Sequence, residues 1–195
     1  MCSICGRSTN KTGLCLLCKK NRPEFKLLRS YAIFEGPIQN AVHRIKYKKD
    51  LTLGFELADL MTNFLMELNW PLDVVVPVPL GRKRKTERGY NQVSLIAYPL
   101  ALKFGLKYVS GGLVRVRETE SQVGLNAIDR RENVKDAFKA IPKRIAGKKV
   151  LLIDDVTTTG ATISSCTEAL KAGGALDVYA VTFARAKDKR EISAI

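Results

Sequence analysis

The sequence predicts an α/β domain, a mostly parallel sheet flanked by helices, with a small cysteine-bearing module in front. Three observations carry that expectation. Short apolar runs at Val74-Val75-Val76 and Val150-Leu151-Leu152-Ile153 have the form of strands buried on both faces. Helical periodicities separate them, as at Ile38, Val42 and Ile45. Near the N-terminus, Cys2-x-x-Cys5 and Cys15-x-x-Cys18 form two knuckles.

The boundaries read as a knuckle module over 1–24, the α/β domain over 25–190 and a tail over 191–195. Each knuckle puts two sulfurs on one turn, and folding the loop between them gathers four. In a reducing compartment four thiolates suit structural Zn²⁺, with all positions closed to catalysis. An iron–sulfur cluster or a redox dithiol pair shares the spacing. About twenty residues hold too little core to fold without such a metal. Gly6 turns the first knuckle sharply, and Lys19 takes the matching place in the second.

Along the domain, residues 25–34 read as a strand. A helix opens at Gly36-Pro37, and a second spans Leu53 to Leu68. A buried strand follows over Asp73–Pro77. Val78-Pro79-Leu80-Gly81 and then Arg82, Lys83, Arg84 and Lys85 read as a basic turn running to Arg88. Restricted backbone amides with nearby cations suit a pyrophosphate, which singles out Leu80, Gly81, Arg82, Lys83 and Arg88. A helix then carries Val93, Ile96, Ala97, Leu100 and Leu102. Strands are expected at 107–113, 133–138 and 177–183. Residues 115–131 are polar without periodicity and read as a lid-like loop. The tail from Arg185 reads as charged and frayed. His43 lies among polar helix positions and Cys166 on an apolar helix face, so both read as structural.

The formal net charge is +14, and lysine and arginine cluster repeatedly along the chain. Such an excess suits a polyanionic ligand or nucleic acid, although a basic surface also keeps a protein dispersed. No apolar run is long enough to span a bilayer, and Cys2 and Cys5 stand where a signal peptide would be apolar, so a cytoplasmic location is expected.

Most chemistry is concentrated after Ile153. Asp154 and Asp155 stand where the strand should emerge; Thr157, Thr158, Thr159 and Gly160 form a hydroxyl-rich turn, and a helix reads from Thr162. Unpaired amides and the helix dipole favour a phosphate there, glycine admits close approach, and the carboxylates suit a sugar diol or a nearby Mg²⁺. A sugar phosphate satisfies both halves.

This stretch resembles the phosphoribosyl-pyrophosphate (PRPP) signature of type I phosphoribosyltransferases. The resemblance implies that Asp154 and Asp155 bind the ribose hydroxyls. It also implies that Val156, Thr157, Thr158, Thr159, Gly160, Ala161 and Thr162 wrap the 5′-phosphate. The cysteine knuckles, Lys46-Tyr47, Pro77-Val78-Pro79-Leu80, Arg88-Gly89-Tyr90-Asn91-Gln92, Arg115-x-Arg117-x-Thr119-x-x-Gln122 and Arg131-x-Asn133-Val134-x-x-Ala137-Phe138 occur in the order seen in the ComF family of competence proteins. That resemblance implies a type I phosphoribosyltransferase core, with the zinc module replacing or adding to the hood over the acceptor. It implies natural transformation as the setting, with incoming single-stranded DNA and other competence proteins as partners.

Two functions remain open on the sequence. An enzyme would bind PRPP with Mg²⁺ and displace pyrophosphate, with Asp154, Asp155, Arg115 and Arg117 catalytic and Thr119 and Gln122 on the closing loop. A non-catalytic module would use the same pocket to sense PRPP or clamp a nucleic-acid phosphate. A third use of the knuckles is a scaffold for competence partners.

Overall fold

A computed structural model describes residues 1–10, 12–119 and 127–187. Five strands form one parallel sheet: β1 (Leu27–Ile33), β2 (Val74–Pro77), β3 (Lys107–Tyr108), β6 (Lys149–Thr157) and β7 (Asp177–Arg185), in the order β1-β7-β6-β2-β3. β4 (Leu113–Arg115) and β5 (Phe138–Ala140) pair antiparallel as a separate ribbon.

Alternation along the strands divides the core into two layers. Val74, Val76, Val150, Leu152, Val178 and Ala180 face α8 (Ala161–Ala172), through Ile163, Cys166 and Leu170, and the β4–β5 ribbon. Val75, Leu151, Ile153, Val181 and Phe183 face α2 (Gly36–Tyr47), α3 (Leu53–Leu68) and α5 (Gln92–Lys103). Each such side chain stabilises the fold by about 1.5–3 kcal/mol when fully buried. No described helix is long and apolar enough to cross a membrane.

Strand order fixes where a ligand belongs. The chain leaves β2 through α5 toward β3 on one side, and leaves β6 through α8 toward β7 on the other. Adjacent strands whose connections diverge leave a crevice at their carboxyl ends, the usual ligand position in such sheets. Pro77 pairs with Ile153, so Asp154 to Thr157 overhang the end of β2. Both anion-suited turns flank that crevice.

The knuckle module, with its short helix α1 (Leu16–Lys20), caps the open edge of the sheet. Leu28 N donates to Ile4 O at 2.8 Å, and Arg29 donates to Ser3 O and Ile4 O. Cys2, Ile4, Cys15 and Cys18 share a core cluster with Phe25 and Leu28. Gly6 has φ +68°, and a Cβ there would stand 2.7 Å from Leu28 O. Gly6→Ala therefore strains the backbone and presses on β1. We expect a loss of about 1–3 kcal/mol, read as a lower midpoint in denaturant unfolding.

Several boundaries differ from the sequence reading. The basic turn is a helix, α4 (Arg82–Arg88), because Arg, Lys and Glu are good helix formers even without an apolar face. The strand expected at 107–113 is interrupted around Gly111-Gly112 into β3 and β4. The strand expected at 133–138 is displaced: α6 (Ala127–Val134) occupies its start, and β5 begins at Phe138. A short helix, α7 (Pro142–Ile145), has no counterpart in the sequence reading. Arg185 is not frayed: it ends β7, is 7% exposed, and donates to Cys5 O at 2.6 Å. Residues 191–195 lie outside the described residues.

Candidate functional site

The turn after β6 is shaped by its own residues. Thr157 is buried, and its carbonyl accepts from Ala186 N at 2.9 Å, tying the turn to the end of β7. Gly160 takes φ +86° as the N-cap of α8, a conformation costly for any side chain. Ala161 N donates to Thr159 Oγ1 at 3.3 Å, and Ser164 N to Gly160 O at 2.9 Å. The amides at the head of α8 thus lie beside the threonine hydroxyls, one residue earlier than the sequence indicated.

The turn after β2 is anchored from two sides. Val78 N donates to Ile153 O at 2.9 Å, and Asn91 Nδ2 donates to Val78 O at 3.0 Å. Asn91 also caps α5, its Oδ1 accepting from Val93 N. Gly81 is the N-cap of α4 and carries the Glu118 carboxylate against it; Glu118 Oε1 accepts from Arg82 N. The Arg82 and Lys83 side chains are exposed on α4.

Two acids stand between these turns. Asp155 is buried. Its Oδ1 lies 3.0 Å from Lys46 Nζ, and its Oδ2 accepts from Gln92 Nε2 at 2.6 Å. Asp154 Oδ1 accepts from Asp155 N at 2.9 Å. Burial, and then the Asp155 charge, push the Asp154 carboxyl up to about 8; the Asp155 amide, Lys46 and Arg115 act the other way.

Arg115 ends β4 over the Phe138 ring, with its centroid 5.4 Å from the guanidinium carbon. Burial lowers its pKa. Glu118, Cys166 and Asp154 raise it, and Arg84 lowers it further, so the side chain lies within electrostatic reach of both turns. It donates to Thr119 Oγ1, while its buried Nε has no hydrogen-bond partner among the described residues. Arg117 lies elsewhere, donating to the carbonyls of Glu132, Asn133 and Lys135 at the end of α6. Gln122 falls outside the described residues.

Lys46, Gln92 and Glu118 are contacts that the sequence reading did not assign to the site. Lys46 and Gln92 lie within the recognised segments Lys46-Tyr47 and Arg88–Gln92. Nothing local in the sequence brings them to Asp155. A cavity of about 240 Å³ opens beside Thr158, between the knuckle module and the ends of β1 and β7, with Ser8, Ser30, Tyr31 and Arg185 among its walls.

The sulfurs of Cys2, Cys5, Cys15 and Cys18 all lie within 4.8 Å of one another and could hold a metal ion. Cys5 Sγ and Cys15 Sγ are 3.7 Å apart. A tetrahedral zinc site with Zn–S of about 2.3 Å separates its sulfurs by about 3.8 Å, so the donors fit. Burial acts to raise the Cys2 thiol, yet donors from the backbone of Cys15, Cys5 and Ile4 bring it down to about 6. Burial pushes Cys5 and Cys18 up; neighbouring thiols add to it at Cys18, while at Cys5 the Arg7 backbone and the Cys18 thiol oppose it and Cys2 and Cys15 add to it. A central cation reverses that crowding.

Comparison with known proteins agrees with this architecture. The phosphoribosyl transferase domain model matches residues 94–194. The chain is 32% identical to DNA utilization protein YhgH of Salmonella typhi over 184 residues, covering 91% of this chain and 81% of that protein. It is 30% identical to competence protein F of Haemophilus influenzae, covering 88% and 78%. It is 26% identical to competence protein ComFC of Bacillus subtilis, covering 95% and 78%. Among solved structures, adenine phosphoribosyltransferase from Thermoanaerobacter pseudethanolicus superposes with a TM-score of 0.43 at 16% identity, covering 70% and 83%.

Proposed function

The chain belongs to the phosphoribosyl transferase domain family, with competence protein F and DNA utilization protein YhgH among its relatives, and on that premise we propose that it binds PRPP with Mg²⁺ between the β2 and β6 turns and transfers the phosphoribosyl group. The observation carrying this reading is that Asp154 and Asp155, near the end of β6, overhang the end of β2 in the crevice between two anion-suited turns, with Arg115 within electrostatic reach of Asp154. The 5′-phosphate lies against the amides and hydroxyls of Val156 to Thr162. The ribose hydroxyls meet the acids. The diphosphate runs toward Leu80, Gly81 and α4, where Arg82, Lys83 and Arg88 supply charge.

In the reaction, the bond from the anomeric carbon to pyrophosphate breaks with its electron pair leaving on pyrophosphate. The acceptor's lone pair forms the new bond, and the acceptor then loses its proton to solvent or to a nearby base. The anomeric centre gains oxocarbenium character, so holding the departing anion matters most. Arg115 suits that role, since its buried Nε, without a partner among the described residues, is a donor a pyrophosphate oxygen would satisfy. Mg²⁺ neutralises diphosphate charge when bound. The cavity beside Thr158 is the proposed acceptor side. Arg117, bonded to carbonyls at the end of α6, holds the chain that follows Arg115 toward Thr119.

Four thiolates fit Zn²⁺ as a structural ion. The names of the relatives support a role in competence and DNA utilization; the proposed setting is natural transformation in the cytoplasm, on or with incoming single-stranded DNA and other competence proteins. The net charge of +14 suits that nucleic acid.

Glu118 occupies the Gly81–Arg82 position that the diphosphate needs. Glu118→Gln removes a competing negative charge and should tighten PRPP binding about threefold in a competition assay. The reaction itself is tested by incubating the protein with PRPP, magnesium and a panel of nucleobases and single-stranded DNA. Pyrophosphate release that vanishes in Asp154→Asn supports transfer. Binding without release supports the sensing module instead.

A further inference from the structure

The two adjacent acids are held unequally. Asp155 is 5% exposed as a residue, and both of its oxygens are engaged, one by Lys46 Nζ and one by Gln92 Nε2. Gln92 is itself 4% exposed, and its Oε1 accepts from Arg88 Nη1 at 2.7 Å. Arginine can only donate, so the Gln92 oxygen must face Arg88 and its amide nitrogen must face Asp155. The Arg88 guanidinium lies 5.1 Å from the centroid of the Tyr47 ring, next in sequence to Lys46. Tyr90 Oη donates to Ile45 O at 2.7 Å. A closed circuit thus runs from α2 to β6, to α5, to α4 and back to α2.

Two of the roughly four acceptor sites of that carboxylate are taken, one on each oxygen, so its orientation is fixed while acceptor capacity remains. Asp154, by contrast, accepts one hydrogen bond among the described residues. We propose that Lys46 is a positioning residue: with Gln92 it fixes the Asp155 carboxylate, which sets the acid pair toward the ribose and ties the end of β6 to Arg88 on the pyrophosphate side. This inference rests on the PRPP-binding reading given above. It assigns the orientation of the acid pair to a residue on α2, outside the matched domain at 94–194.

The charge balance supports the assignment. Lys46 is 20% exposed at its side chain and Asp155 7%, so their attraction is weakly screened. Removing the ammonium leaves a buried carboxylate with one donor fewer and frees it to shift.

The test is a double-mutant cycle on PRPP affinity, measured calorimetrically with magnesium for the unmodified chain, Lys46→Met, Asp155→Asn and the double variant, with thermal midpoints as a check on folding. Lys46→Met should weaken binding on the order of tenfold, the size of one lost hydrogen bond to a charged group. In the Asp155→Asn background the same change should cost less than about twofold, because Lys46 acts through Asp155. Lys46→Arg should restore most of the affinity, and Lys46→Gln serves if the methionine variant folds poorly. Equal binding by Lys46→Met and the unmodified chain overturns the role of Lys46 alone. A loss on the order of tenfold that persists in the Asp155→Asn background overturns it too, since Lys46 would then touch the ligand directly. No binding by the unmodified, folded chain removes the PRPP reading and this role with it.

Discussion

Replacing Cys15 with serine, or stripping the knuckles with a strong chelator, should unfold far more than the first twenty residues. Cys2, Cys15 and Cys18 lie in the same apolar cluster as Leu28 of β1, Val178 and Ala180 of β7 and Leu170 of α8. Leu28 N depends on Ile4 O, and Arg185 at the end of β7 depends on Cys5 O. Without a cation, four clustered thiols, three of them buried, crowd one another, and structural zinc is worth about 10–16 kcal/mol to small zinc-finger peptides. A loss of even a fraction of that matches the whole stability of an ordinary domain. The measurement is circular dichroism at rising temperature, with and without chelator. One transition shifted down as a whole is expected. A small early step with the main transition unmoved would show the module to be an independent appendage.

The second large effect concerns Asp154 and pH. Its carboxyl is pushed up to about 8 in the folded protein, first by burial and then by Asp155, whereas an unfolded chain ionises it near about 3.9. Between those values the folded state holds a proton that the unfolded state has released, so stability falls as pH rises through that window. Asp154→Asn removes this dependence. The variant should be more stable than the unmodified chain at about pH 8, by on the order of a few kcal/mol, with the difference shrinking toward about pH 4. Denaturant midpoints at several pH values read it directly. The same variant should lose PRPP, because an amide offers one acceptor oxygen at the sugar where the carboxylate, formed as pH rises through about 8, offers two. Stability gained and ligand lost at one residue is the mark of a group kept for function rather than for the fold.

How much of this was legible beforehand depended on how local the signal was. Val150–Ile153 announced β6, and Thr158 to Gly160 its turn, because apolar runs, caps and glycine act within a few residues; the strand itself runs on through Asp154 and Asp155 to Thr157, past the point where its apolar run ends. The parallel order of the sheet followed from strands alternating with helices. α4 was hidden because Arg82–Arg88 has no apolar face, so composition suggested a loop where backbone propensity makes a helix. β5 was misjudged because it has three residues and pairs only with β4 in a separate ribbon. Lys46 and Gln92 were invisible as site residues because their partner Asp155 lies far along the chain; the Gln92 contact spans 63 positions. Arg117 shows the reverse case. Its spacing with Arg115 suggested a shared task, yet it caps the end of α6.

The most direct measurement of the central claim is a calorimetric titration of the folded, metal-loaded chain with PRPP and magnesium. One site per chain is expected, with its heat lost in Asp154→Asn and unchanged when a residue remote from the crevice, such as Tyr98 on α5, is replaced. A folded chain that gives no heat, or one whose heat survives Asp154→Asn undiminished, would contradict a ribosyl diphosphate bound between the β2 and β6 turns.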